Sequence, residues 1–129
     1  MTERLFVYGT LHPDRAPGEI ASLVSRFKRV ARGTVRGHLY DLSDYPALVL
    51  DPKGPVVTGE VLLVPNEPGA MARLDAYEEY TPSAPAKSLF LRRKARVTLE
   101  DGSHAQCWIY VYNKPIPADQ LRSQLASVA

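Results

Sequence analysis

The chain has 129 residues, of which 45% are hydrophobic and 23% charged, with a formal net charge of +2; this is the profile of a folded globular protein and excludes a disordered tail, a collagen-like fibre or a coiled coil. A single core takes roughly 100–150 residues, so one domain over residues 1–129 is expected. The lone cysteine, Cys107, allows neither an intramolecular disulfide nor a cysteine-based zinc cluster.

The opening MTERLFVYGT has no basic segment followed by a long apolar run, as a signal peptide would, and no apolar stretch approaches the roughly 20 residues that span a bilayer. A cytoplasmic protein with no membrane partner is expected. Eleven prolines and eight glycines cut the sequence into short segments that alternate as strands do. Arg4 to Tyr8 reads as a strand ending at Gly9. Ile20, Leu23, Val24 and Phe27 recur on one helical face, which predicts a helix from about Gly18 to Phe27. Arg29 to Leu42 reads as a strand interrupted by Gly33 and Gly37, and Val56 to Val64 as a β-branched strand with Gly59 inside it. Such glycines mark bulges or tight curvature. Asn66 to Tyr80 carries an Asn N-cap candidate, an early proline and good helix formers, so a helix is expected there. Lys87 to Leu99 and Ala105 to Asn113 form two strands joined through Glu100-Asp101-Gly102-Ser103, a strong hairpin signal. Ala118 to Leu125 reads as a short terminal helix. Without regular βαβ alternation, these elements predict an α+β fold built on a small curved sheet or barrel. Neither G-x-G-x-x-G nor G-x-x-x-x-G-K-[ST] occurs, so a nucleotide-binding doubly wound fold is not expected.

Two segments carry chemistry. On the Asn66 to Tyr80 helix, at about 100° per residue, Met71, Leu74 and Glu78 share one side, while Asp75 and Glu79 fall together on the edge facing away. Glu78 therefore sits on the core-facing stripe. A carboxylate there is paired, hydrogen-bonded or shifted upward in pKa, because burial disfavours its charge, and an upward shift suits general acid/base work. Periodicity alone leaves open a frayed helix end with Glu78 exposed, or a pairing with one of the arginines. The second segment is Phe6-Val7-Tyr8-Gly9-Thr10-Leu11, a strand running into a Gly-Thr turn that can aim backbone N–H groups at one point and hold an anion. An ordinary strand ending is the alternative.

Together these segments resemble the γ-glutamylcyclotransferase-like family, which includes AIG2-like proteins and γ-glutamylamine cyclotransferases. The resemblance lies in Tyr8-Gly9-Thr10-Leu11, in Gly37-His38-Leu39-Tyr40-Asp41-Leu42 followed by Tyr45-Pro46-Ala47, in Leu74-Asp75-Ala76-Tyr77-Glu78, and in the aromatic strand Cys107-Trp108-Ile109-Tyr110-Val111-Tyr112. It spans nearly the whole chain in the family's order. It implies a small mixed β-barrel with flanking short helices, no metal or organic cofactor, and a small-molecule γ-glutamyl substrate from which 5-oxoproline is released. Glu78 matches the family's catalytic glutamate, and Tyr8, Gly9, Thr10 and Leu11 match its substrate-binding loop. Where many relatives have a glycine after that glutamate, Glu79 stands here. The rival reading is a catalytically silent binding or interaction module on the same barrel.

Tyr40, Tyr110 and Tyr112 are candidates to line a pocket, with simple barrel packing as the alternative; Tyr110 and Tyr112 share one strand face. Arg92, Lys94 and Arg96 alternate onto what reads as the solvent face, so these basic groups do not imply nucleic acid, although Arg92 or Arg93 could approach the pocket mouth. His12 follows the proposed binding loop. His38 reads as strand surface and His104 as a turn residue, and Cys107 as a small hydrophobe in the closing strand.

Overall fold

The computed structural model describes residues 3–8, 22–41 and 46–115. Its strands are β1 (Arg4–Val7), β2 (Lys28–Asp41), β3 (Pro46–Leu50), β4 (Val56–Leu63), β5 (Phe90–Leu99) and β6 (His104–Tyr112). One helix, α1 (Ala70–Tyr77), and a short 3₁₀ turn, Pro85–Lys87, lie between β4 and β5. The predicted helix from Gly18 to Phe27 is described only in part, with Ser22 to Val24 helical. The predicted helix from Ala118 to Leu125 lies outside the described residues.

The strand pairings close on themselves. β2 pairs with β4, β4 with β1, β1 with β6, β6 with β5, and β5 returns to β2 through Gly33↔Leu99 and Thr34↔Thr98. Among these pairings only β1–β6 is parallel, so the result is a closed, mixed, five-stranded barrel, as expected. Closure removes the unpaired edges that an open sheet of this size would expose. The far half of the 14-residue β2 extends beyond the barrel and pairs with β3 from Gly37↔Leu50 to Asp41↔Pro46.

Period-two alternation sorts the side chains into two layers. Phe6, Val35, Val61, Val97, Cys107 and Ile109 fill the barrel interior. Leu5, Val7, Leu62 and Tyr110 point outward instead and pack with Leu23, Val24 and Phe27 and with Ala70 and Leu74 of α1. The helical layer thus covers the outer face of the barrel where β1 and β6 lie side by side. Gly59 matters for that arrangement, because a Cβ there would run into the Val7 carbonyl and the Phe6 ring. Its absence lets the end of β1 pass close to β4.

The helix is shorter than the sequence predicts. Asn66 does not cap it: the N-cap is Gly69 with φ 79°, and no side chain caps the first turn. Pro68 biases the preceding residue away from helical geometry, and Gly69 then takes the left-handed conformation that glycine tolerates.

Candidate active site

Among the described candidates, the C-terminal end of α1 brings Glu78 close enough to Tyr8 and Tyr110 to act on both. Glu78 is its C-cap, and the chain leaves through Glu79 at φ 55°. Two hydrogen bonds define the exit: the Tyr80 N–H donates to the Asp75 carbonyl (2.8 Å) and the Glu79 N–H to the Ala76 carbonyl (3.2 Å). This is the Schellman pattern, whose left-handed position is normally glycine. A glutamate holds it here, the departure already evident in the sequence. The turn redirects the backbone immediately after Glu78, leaving that side chain on the barrel side and Glu79 exposed.

Glu78 is half-buried. Loss of solvation, together with the charge of neighbouring Glu79, pushes its pKa from the ordinary 4.5 up to about 7. A group titrating near neutrality can both take and return a proton at working pH. Two phenols feel its charge. Tyr8 is raised well above the ordinary phenol value, chiefly by burial and next by Glu78, with the Leu48 amide opposing. Tyr110 is raised by burial first, then by Asp75, and again in part by Glu78. The Tyr8 hydroxyl donates to the Tyr110 backbone carbonyl at 2.5 Å, which ties the end of β1 to β6 beside the helix end.

The sequence missed Asp75. Placed by periodicity on the outward edge with Glu79, it is instead only 5% exposed. The buried arc of α1 is wider than a Met71–Leu74–Glu78 stripe, because Arg92 makes burial of the extra carboxylate tolerable. Arg92 Nε donates to Asp75 Oδ1 (2.7 Å) and Nη2 to Oδ2 (3.1 Å), a two-point fork, and the Tyr110 hydroxyl donates to Oδ1 at 2.8 Å. Burial works against the Arg92 cation, but the Asp75 carboxylate more than offsets it and its pKa rises. Arg92 therefore does not lie on a solvent face with Lys94 and Arg96. All three point away from the barrel interior, but α1 covers that outer surface at Arg92 and leaves Lys94 and Arg96 exposed. The guanidinium also lies over the Trp108 ring, 4.3 Å from its centroid, and Trp108 Nε1 donates to Glu3 Oε2 at 2.7 Å. A signal for Asp75 was present in Leu74-Asp75-Ala76-Tyr77-Glu78, which sets it one helical turn before Glu78.

The other candidates divide. Tyr112 is half-buried on the same outer face as Tyr110, edge-on to Phe90 with ring centroids 5.6 Å apart. Tyr40 is buried on the far half of β2. His38 lies 2.9 Å from Asp51 Oδ2, Arg93 is exposed, and His104 is the exposed first residue of β6. Cys107 is fully buried in the barrel, where burial pushes its thiol pKa up. Gly9, Thr10, Leu11 and His12 lie outside the described residues.

The family model described as gamma-glutamyl cyclotransferase, AIG2-like, matches residues 5–127. The chain belongs to that family. A Halalkalibacterium halodurans protein carrying the name "Putative gamma-glutamylcyclotransferase" is 40% identical over 84 residues, which cover 64% of this chain and 69% of that one. Among solved structures, a crystal structure of a mouse (Mus musculus) AIG2-like protein is 25% identical with a TM-score of 0.70, covering 93% of this chain and 82% of that chain. An Arabidopsis thaliana protein solved in solution is 24% identical with a TM-score of 0.67, covering 92% and 74% of the two chains, and shares the fold. The gamma-glutamyl cyclotransferase family acts on small γ-glutamyl substrates, and the closed mixed barrel with its short helices matches that fold. Among the described residues, no helix is long and apolar enough to cross a membrane.

Proposed function

We propose that the protein is a cyclotransferase that releases 5-oxoproline from a γ-glutamyl amine or peptide, with Glu78 as general acid/base. The observation that carries the reading is the half-buried Glu78 carboxyl at the end of α1, its pKa raised to about 7 and its charge felt by both Tyr8 and Tyr110. The substrate's α-amine attacks its own γ-carbonyl carbon, forming the ring C–N bond. Glu78, as carboxylate, accepts the proton that this nitrogen loses. The same carboxyl then returns it to the departing nitrogen as the original amide bond breaks, giving 5-oxoproline and a free amine. Because the attack is intramolecular, proximity supplies much of the acceleration, and the protein's main task is proton traffic and stabilisation of the developing oxyanion. In this reading the backbone N–H groups of Gly9, Thr10 and Leu11 bind the substrate carboxylate or that oxyanion. Tyr8, Tyr110 and Tyr112 line the substrate's side of the site. The protein would act in the cytoplasm as one domain, without cofactor, metal or nucleic acid. Incubation with a panel of γ-glutamyl amines and dipeptides, monitored for 5-oxoproline, tests it. Release from at least one member is expected; no release from any would favour the silent binding module.

A further inference from the structure

The Glu78 mechanism leaves unused the most heavily bonded carboxylate beside it. Asp75 lies one helical turn before Glu78, is 5% exposed, and receives three hydrogen bonds from two different strands. Its partner Arg92 is itself confined, with Trp108 under the guanidinium and Glu3 holding the indole N–H. The helix that carries Asp75 and is capped by Glu78 has only eight residues and no side-chain N-cap, and a helix that short does not persist on its own propensity. Tertiary contacts therefore set where its last turn sits. Apolar packing could anchor it at lower cost, since a buried ion pair is often no more stabilising than hydrophobic residues of the same volume.

We infer that Asp75 and Arg92 are the positioning pair of this site: Arg92, fixed on β5, grips Asp75 and holds the last turn of α1 so that Glu78 faces Tyr8 and Tyr110. The inference rests on the reading of Glu78 as acid/base. It also carries an electrostatic consequence. Glu79 follows Glu78 directly and raises its pKa, Asp75 of α1 lies one turn before it with Arg92 of β5 bound to it, and Tyr8 at the end of β1 and Tyr110 of β6 both feel the Glu78 charge. Within this set Arg92 neutralises Asp75, so breaking the pair from either side exposes Glu78 to opposite charges.

The test is the pH midpoint of Glu78, read by carbon-13 NMR of its carboxyl, beside kcat and KM on the best γ-glutamyl amine of the panel. Asp75→Asn leaves the Arg92 cation uncompensated and lowers the midpoint, whereas Arg92→Gln leaves the Asp75 anion and raises it, each by about one unit. Arg92→Lys keeps the charge, so the midpoint stays near its wild-type position. In every case the displaced helix end lowers kcat by roughly 10- to 100-fold with a smaller change in KM. A residue that merely stabilised the fold would move melting temperature without opposed shifts. Should either single variant not fold, the double variant Asp75→Asn/Arg92→Gln, which buries no charge, carries the test with a wild-type midpoint and a low kcat. Midpoints that move in the same direction or not at all, or a double variant with wild-type kcat, overturn the inference. Glu78→Gln separates the two levels: an active Glu78→Gln enzyme refutes the acid/base reading itself, while an inactive one beside unaffected Asp75 and Arg92 variants refutes only the positioning pair.

Discussion

Replacing Glu78 with glutamine should stabilise the protein, and only at high pH. In the folded state the carboxyl titrates near 7 against an ordinary 4.5, mainly because burial strips its solvation. A folded-state pKa above the unfolded value means that stability is fully present below the unfolded pKa and is lost as pH rises through the folded one. The penalty therefore begins near pH 4.5 and is complete just above 7. Each unit is worth about 1.36 kcal/mol, so the full shift amounts to ~3 kcal/mol, and water screening of the part-exposed group reduces this to about 2 kcal/mol. Glutamine keeps the shape without the charge. Urea unfolding of wild type and Glu78→Gln at pH 4.5, 6, 7 and 8.5 measures the effect. The difference between the two should grow by about 2 kcal/mol across that range, equivalent to roughly 8 °C in melting temperature for a domain of this size. A difference that does not vary with pH would show that Glu78 is not held in a charge-averse environment, and the argument for its acid/base role would lose its physical basis.

Glu79→Gly should raise stability by about 0.5–1 kcal/mol, because it relieves a non-glycine left-handed conformation at the cost of some unfolded-state entropy. Glu79→Gln keeps the strain and gains none of this; both variants should lower the pKa of Glu78, measurable by NMR titration. Gly59→Ala should destabilise by roughly 1–3 kcal/mol in thermal melts, since its Cβ meets the Val7 carbonyl and the Phe6 ring in a core with little room for extra volume. Gly9→Val should raise KM for the best substrate more than it lowers melting temperature, because a side chain there obstructs the proposed binding turn.

Much of the barrel is legible because its strands alternate. β1, β2, β4 and the β5–β6 hairpin have one apolar face against the interior, and the Asp101-Gly102 turn closes the hairpin with Gly102 at φ 88°. β3 escapes such reading. Pro46-Ala47-Leu48-Val49-Leu50 is a continuous apolar run with no period of two, and among the described residues it pairs only with the part of β2 beyond the barrel. The helix end is legible in part. Glu78 falls on the apolar stripe, but the true buried arc extends to Asp75, and no periodicity shows that, since burial there depends on Arg92 arriving from a strand 17 residues away. For the same reason Arg92 resembles Lys94 and Arg96 in sequence and not in environment. The closed β2–β5 contact is likewise a consequence of curvature, to which Gly33 contributes: a Cβ there would lie 2.5 Å from Val97.

The most direct test of the central claim is 5-oxoproline release by wild type and by Glu78→Gln from the best γ-glutamyl substrate at neutral pH, with folding of both checked by circular dichroism. Loss of the acid/base group should cost about 10²–10⁴-fold in rate, toward the upper end because one carboxyl serves both proton transfers. Glu79→Gln, the matched change on the exposed side of the turn, should retain most of the activity. A folded Glu78→Gln protein that releases 5-oxoproline at the wild-type rate would contradict the account.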